Sequence, residues 1–164
     1  MRPMRTSRTA LLVALLPAAL VALVGGCGST TTGLAQWSAD LTAAQARWQA
    51  GALQNYTYEL QRNCNCVVNQ LRPVTITVRG GALNRIVYSD TTGGFADTTQ
   101  WRQYLTMDRY FATIHDMVNS NPAHFTAVYT ASLGFPSYIA IDPVANILDD
   151  EINITTLSFT IDTP

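Results

Sequence analysis

Cys64-Asn65-Cys66 is the sharpest candidate for chemistry in this chain. On an extended strand, residues two apart point to the same side, so the two thiols can meet in a small ring. Closing so small a ring is strained, and strained disulfides reduce more easily. Three chemistries fit the pair. A local structural disulfide suits an even cysteine count in an oxidising compartment. A redox-active pair would want the Cys-x-x-Cys spacing and helix start that lower a thiol pKa, and the chain has neither here. A thiolate site for a soft metal such as copper(I) would want a third ligand. Neither His115 nor His124 is near in sequence.

Asp149-Asp150-Glu151, with Asp142 before it, falls on an expected hairpin between the last two strands. Calcium takes several oxygen ligands, which makes these four residues weak metal candidates. Their spacing is not that of an EF-hand, and residues 143 to 148 between them are largely apolar. A solvated acidic turn is the favoured reading. His115 and Asp116 sit beside the apolar stripe of an expected helix, and His124 precedes an expected strand. A nucleophilic site needs a serine or cysteine with a base and an orienting acid. Ser132 and Ser137 flank Leu133-Gly134-Phe135-Pro136, but no nucleophile-elbow pattern surrounds either. The chain has neither a zinc-protease helix motif nor a phosphate loop. No catalytic residue is assigned, no cofactor is expected, and the chain reads as a non-enzyme.

Cys27 carries the remaining chemistry. Arg2, Arg5 and Arg8 make a positive start, and an apolar run from Ala10 to Val24 follows, broken only by Pro17. A positive region, a short apolar core and small residues before a cut describe a secretory signal peptide. The run is shorter than the roughly 18 to 20 residues a spanning helix needs. Val24-Gly25-Gly26-Cys27 resembles the lipobox of bacterial lipoproteins, with valine in place of the commoner leucine. The resemblance implies cleavage before Cys27, a diacylglycerol on its sulfur and an acyl group such as palmitate on its amine. Each buried methylene contributes about 0.8 kcal/mol, so two or three chains hold the protein at a membrane. Gly28 and Ser29 follow the cysteine with no Asp at the second position. In a host with two membranes, that pattern implies the outer one. The expected layout is a signal peptide over 1–26, a lipidated cysteine and tether over 27–34, and one domain over 35–164.

All ten basic residues are arginine. Three precede Cys27, so seven face eleven acids and the mature net charge is about −4. A mildly acidic domain without a basic run is a poor binder of nucleic acid or of anionic lipid surfaces.

The elements that must position these residues follow from periodicity. Trp37, Leu41, Ala44 and Trp48 make one apolar stripe and predict a helix over 35–50. The two tryptophans could stack on a ligand, but such a stripe more commonly covers a sheet. Tyr56, Tyr58 and Leu60 alternate with polar residues, as do Val74, Ile76 and Val78. Gly80-Gly81 then fits a tight hairpin leading to a strand over 83–88. Residues 89–100 read as a loop. Thr106 is a good N-cap for a helix whose stripe is Met107, Phe111, Ile114 and Val118, with Asp108 suited to its dipole. Three strands close the chain: Phe125 to Tyr129, Ser137 to Asp142, and about Ile152 to Ile161. In the last, inward positions shift from Ile152 and Ile154 to Leu157, Phe159 and Ile161, which predicts a β-bulge near Thr155 or Thr156. The expected class is α+β: one antiparallel sheet of about six strands with two helices on one face, in the order α-βββ-α-βββ. The likeness of the halves is either a weak duplication or the ordinary look of an antiparallel sheet.

The lipobox, the Trp-bearing first helix, Tyr56-Thr57-Tyr58, Cys64-Asn65-Cys66 and the helix from Met107 to Ile114 occur in a definite order. After them come Tyr129, Gly134-Phe135-Pro136, Ile139-Ala140-Ile141-Asp142 and Asp149-Asp150-Glu151. The set resembles the bacterial domain of unknown function six-one-seven-four, over about Ala35 to Phe159, with Phe135 where that pattern favours tyrosine. The resemblance implies a secreted or lipid-anchored domain of unknown activity, and carries over no catalytic residues. The expected function is therefore a membrane-anchored, non-catalytic binding or interaction module of the cell envelope. It would meet the membrane through its acylated cysteine and an envelope protein through an exposed sheet face or the Tyr-rich strand, with no nucleic acid. A metal- or thiol-handling role for Cys64 and Cys66 is the alternative, and a small hydrolase built on His115 or His124 comes last.

Overall fold

A computed structural model of the chain describes residues 33–90, 94, 96 and 103–163. Cys27 and the expected signal peptide lie outside the described residues, as does most of the expected 89–100 loop. The elements are α1 (Gly33–Ala50), β1 (Tyr56–Cys64), α2 (Val68–Leu71), β2 (Val74–Arg79), β3 (Ala82–Tyr88), α3 (Met107–Asn119), β4 (His124–Tyr129), β5 (Pro136–Asp142) and β6 (Ile152–Ile161). Helix α1 begins two residues before the expected Ala35, with Gly33 set close against the Trp37 ring. The short α2 has no sequence signature and was not expected. Among the described residues, no helix is long and apolar enough to cross a membrane.

The six strands form one antiparallel sheet in the order β3-β2-β1-β6-β5-β4. This is the α+β arrangement the strand runs predict. Along the sheet, the two three-strand meanders keep the same order but run in opposite directions. That relation would carry equivalent helices to opposite faces. Helices α1 and α3 instead share one face, so alternation rather than duplication accounts for the likeness of the halves.

Period two decides what each strand buries. Tyr56, Tyr58 and Leu60 of β1 align with Val78, Ile76 and Val74 of β2, and all six are buried on the helix side. Thr57, Glu59, Thr75 and Thr77 face the other way and stay partly exposed. Leu41, Ala44 and Trp48 of α1 and Met107, Phe111, Ile114 and Val118 of α3 complete the core. Trp48 is a core residue rather than a ligand platform: its ring meets Tyr56 at 5.3 Å and Phe159 at 5.9 Å. Trp37 packs edge-on against Phe125. Tyr56 and Tyr58 are fully buried, so these two rings offer no exposed contact.

Buried polar groups tie the layers together. The Tyr56 hydroxyl accepts from the Met107 N–H at 2.8 Å, and the Tyr58 hydroxyl donates to the Leu105 carbonyl. Trp48 Nε1 donates to Asp108 Oδ1 at 2.9 Å, linking α1 to the first turn of α3. Thr106 caps that helix by accepting from the Arg109 N–H. Gly80 and Gly81 both take positive φ, the two-residue hairpin their sequence predicts.

Gly134 also has positive φ, +78°, in the link from β4 to β5. A Cβ there would fall 2.1 Å from the Ala44 carbonyl oxygen, so only glycine lets this turn reach α1. The β6 bulge is present, but at Leu157: Glu59 aligns with Ser158 and Leu60 with Thr156. The extra residue points Leu157 outward, and Ile161 lies at the strand's end. Both were expected inward, and both are about half exposed. Phe159 does turn inward, stacked on Phe135 at 4.4 Å.

Candidate functional site

The inward row of β1 does not end at Leu60. Residues 62 and 64 have the same parity as Tyr56, Tyr58 and Leu60, so Arg62 and Cys64 continue the row onto the helix face. Across the sheet Arg62 aligns with Ile154, which aligns with Ile139; Cys64 aligns with Ile152, which aligns with Ile141. Tyr110, Thr113 and Met117 of α3, at helical spacing, stand over this corner, with Gln103 and Leu105 leading into the helix. Between them runs a groove of about 430 Å³ with mostly apolar walls. Its size lies in the range of roughly 300 to 1,000 Å³ typical of small-molecule sites. A concavity of about 520 Å³ over Arg109, Ala112 and Asp116 is formed on the exposed side of α3 and is polar. The apolar groove is the better receptor, because burial of apolar surface is the general source of affinity.

Cys64 and Cys66 form a disulfide on the groove wall, with Cα atoms 5.2 Å apart. The pair does not close along an extended strand. Strand β1 ends at Cys64, and the chain turns so that the Cys66 N–H donates to the Cys64 carbonyl at 2.8 Å. That turn brings two sulfurs together across a single intervening residue.

Arg62 sets the electrostatics of the groove. Its Nη1 donates to Gln103 Oε1 at 3.0 Å, and its Nη2 donates to the Gln103 carbonyl. The guanidinium lies over the Tyr104 ring, 5.2 Å from its centroid. Burial pulls its pKa down from the usual value, while the phenols of Tyr104, Tyr110 and Tyr58 oppose that shift. Arginine stays protonated in such a setting. Among the described residues, Arg62 has no carboxylate in ion-pair range. Two of its five N–H donors are used by Gln103, which leaves three for another partner. The Tyr104 hydroxyl is buried with no hydrogen-bond partner among the described residues, and burial raises its pKa. Burial likewise drives the Tyr110 phenol well above its usual value. Neither phenol is therefore shifted toward its anionic form beside Arg62.

The other sequence candidates are not brought together. His115 is exposed on α3, its Nδ1 2.9 Å from Asn119 Nδ2, and His124 is exposed at the start of β4. Neither lines the groove. The Ser137 hydroxyl donates to the Val128 carbonyl. Asp142 aligns with His124 at the end of β5, and Asp149, Asp150 and Glu151 lie in the turn before β6. Asp142 and Asp150 each hold one buried carboxylate oxygen without a hydrogen-bond partner among the described residues. Among the described residues, no three His, Cys, Asp or Glu side chains stand close enough to hold a metal.

Arg62 is the residue the sequence reading missed. The signal was there, since alternation from Tyr56 through Leu60 points to positions 62 and 64. A charged residue in that phase is the mark of an inward polar group.

The chain belongs to a family of unknown function, DUF6174, whose model matches residues 40–161. No curated protein and no solved structure matches it.

Proposed function

We propose that this DUF6174 protein is a lipid-anchored binding module of the bacterial cell envelope, and that it binds without catalysing. The groove between α3 and the β1–β6 corner carries the reading. It is a concave, largely apolar surface of ligand size, beside the packed core. The anchor rests on the three early arginines, the apolar run to Val24, and Val24-Gly25-Gly26-Cys27. On this reading the acyl chains hold the domain at the membrane and leave the groove free for a ligand.

Two measurements on the full chain, expressed in a bacterial host, test the two halves. The wild type should partition into the detergent phase of a Triton X-114 separation and incorporate labelled palmitate; Cys27→Ser should do neither. An unchanged distribution in Cys27→Ser sinks the anchor. Nile red, an uncharged apolar dye, should brighten on binding the wild type and lose that signal in Met117→Glu, which puts a charge in the groove wall. Equal brightening in both removes the groove as the binding site.

Thiol or metal handling is a second reading, favoured by the position of Cys64 and Cys66 on the groove wall. Uptake of copper(I) by the reduced full chain, lost in Cys64→Ser/Cys66→Ser, would support it. Complete disulfide formation in the envelope with no uptake after reduction would end it.

A further inference from the structure

We infer that the groove takes a single-chain amphiphile with a carboxylate head, such as a medium-chain fatty acid, with the head at Arg62 and the chain toward Met117 and Ile152. The inference rests on the groove being the binding site, and it names the ligand class. Charge complementarity carries it. Arg62 is a cation in the wall of an apolar groove, half-buried, and among the described residues it has three N–H donors unused and no carboxylate in range.

A desolvated charge without a counter-ion is costly, and a ligand anion at this position would relieve that cost. The planar guanidinium fork fits a carboxylate through two parallel N–H···O bonds. One guanidinium also neutralises a monoanion. A dianionic phosphate would leave a net charge among apolar side chains. Beyond the head, the walls offered by Leu105, Met117, Ile152 and Ile154 have no side-chain hydrogen-bonding groups, which suits an alkyl chain. The phenols of Tyr58, Tyr104 and Tyr110 lie near the guanidinium, and among the described residues no carboxylate stands in ion-pair range to compete with the ligand.

The test is equilibrium dialysis of radiolabelled decanoate and of decan-1-ol against the full chain in phosphatidylcholine nanodiscs, with empty nanodiscs as the blank. The wild type should bind about one decanoate per chain. Hydrogen bonds to charged groups contribute enough that decan-1-ol should bind at least about tenfold more weakly. Arg62→Gln, checked for folding by circular dichroism, should erase that difference, and Arg62→Lys should keep part of it. The comparison of acid with alcohol uses the wild type alone, so it decides even if the variants do not fold. Equal affinity for acid and alcohol overturns the carboxylate assignment but leaves an apolar groove. Absence of decanoate, decan-1-ol and Nile red binding overturns the groove reading itself.

Discussion

Replacing Gly134 with alanine should be among the most damaging single-methyl changes in this fold. Two costs add. The first is conformational: Gly134 has φ +78°, and the left-handed region costs an L-residue about 1 to 2 kcal/mol. The second is steric. The new Cβ would lie 2.1 Å from the Ala44 carbonyl oxygen and 3.0 Å from Arg47 Cβ, where ordinary contact begins near 3.4 Å. Relief requires the C-terminal half of α1 to move outward by about an ångström, loosening the seating of Ala44 and Trp48. Overpacking of this kind costs about 1 to 3 kcal/mol. The sum is about 3 kcal/mol, a large part of a total stability of roughly 5 to 15 kcal/mol. For a domain of this size that is a fall in Tm of about 10 °C. Gly80→Ala is the internal control. It shares positive φ, +54°, but its Cβ would meet nothing within 4 Å, so only the conformational cost of about 1 kcal/mol applies. Thermal melts of the full chain, followed at 222 nm, should place Gly134→Ala well below Gly80→Ala. Equal Tm values would refute the close approach of this turn to α1.

Three other outcomes follow from buried polar groups and from the disulfide. Tyr56→Phe keeps the ring but strands the buried Met107 N–H, so urea unfolding should show a loss of about 2 kcal/mol; a change under 0.5 kcal/mol would deny the bond. Burial pushes the Tyr56 and Tyr129 phenols up to about 12, whereas a phenol in the unfolded chain ionises near 10. Above pH 10 the unfolded state releases protons that the folded state keeps, so stability is full below pH 10 and is lost as pH rises toward 12. Urea midpoints from pH 9 to 11.5, read with tyrosinate absorbance at 295 nm, should fall through that window; a flat midpoint contradicts the burial. Cys64→Ser/Cys66→Ser should still fold. The loop closed by the disulfide spans three residues, so chain entropy limits the loss to about 1.6 kcal/mol. An unfolded double variant would show that the pair holds far more than a local turn.

The helices and strands were legible where one period ran unbroken. Met107, Phe111, Ile114 and Val118 are all buried, and so is Tyr110, which lies one position off the counted stripe and faces the groove. The parity change in β6 announced a bulge, but alternation locates one only to within a residue or two, and it fell at Leu157. Of the positions expected inward, Leu157 is the bulged residue, while Ile161 keeps the inward register opposite Tyr56 and is half exposed because it ends the strand. The four residues of α2 are too few for any period to show. The groove was not legible at all, because Arg62, Leu105, Met117 and Ile152 come from four separate parts of the chain and meet only in the folded sheet. Cys64 and Cys66 were visible as a pair, while their place beside an arginine on a ligand-sized groove needed the register of β1 with β6.

Photocrosslinking would show directly whether an acyl chain lies in the groove between α3 and β6. The full chain in nanodiscs would be irradiated with decanoate carrying a diazirine at its tail, digested, and the labelled peptides mapped by mass spectrometry. Label should fall on the α3 peptide that holds Met117 and on the β6 peptide that holds Ile152 and Ile154, and be competed away by unlabelled decanoate. Label confined to the opposite sheet face around Thr75 and Thr77, or spread evenly and not competed, would contradict that placement.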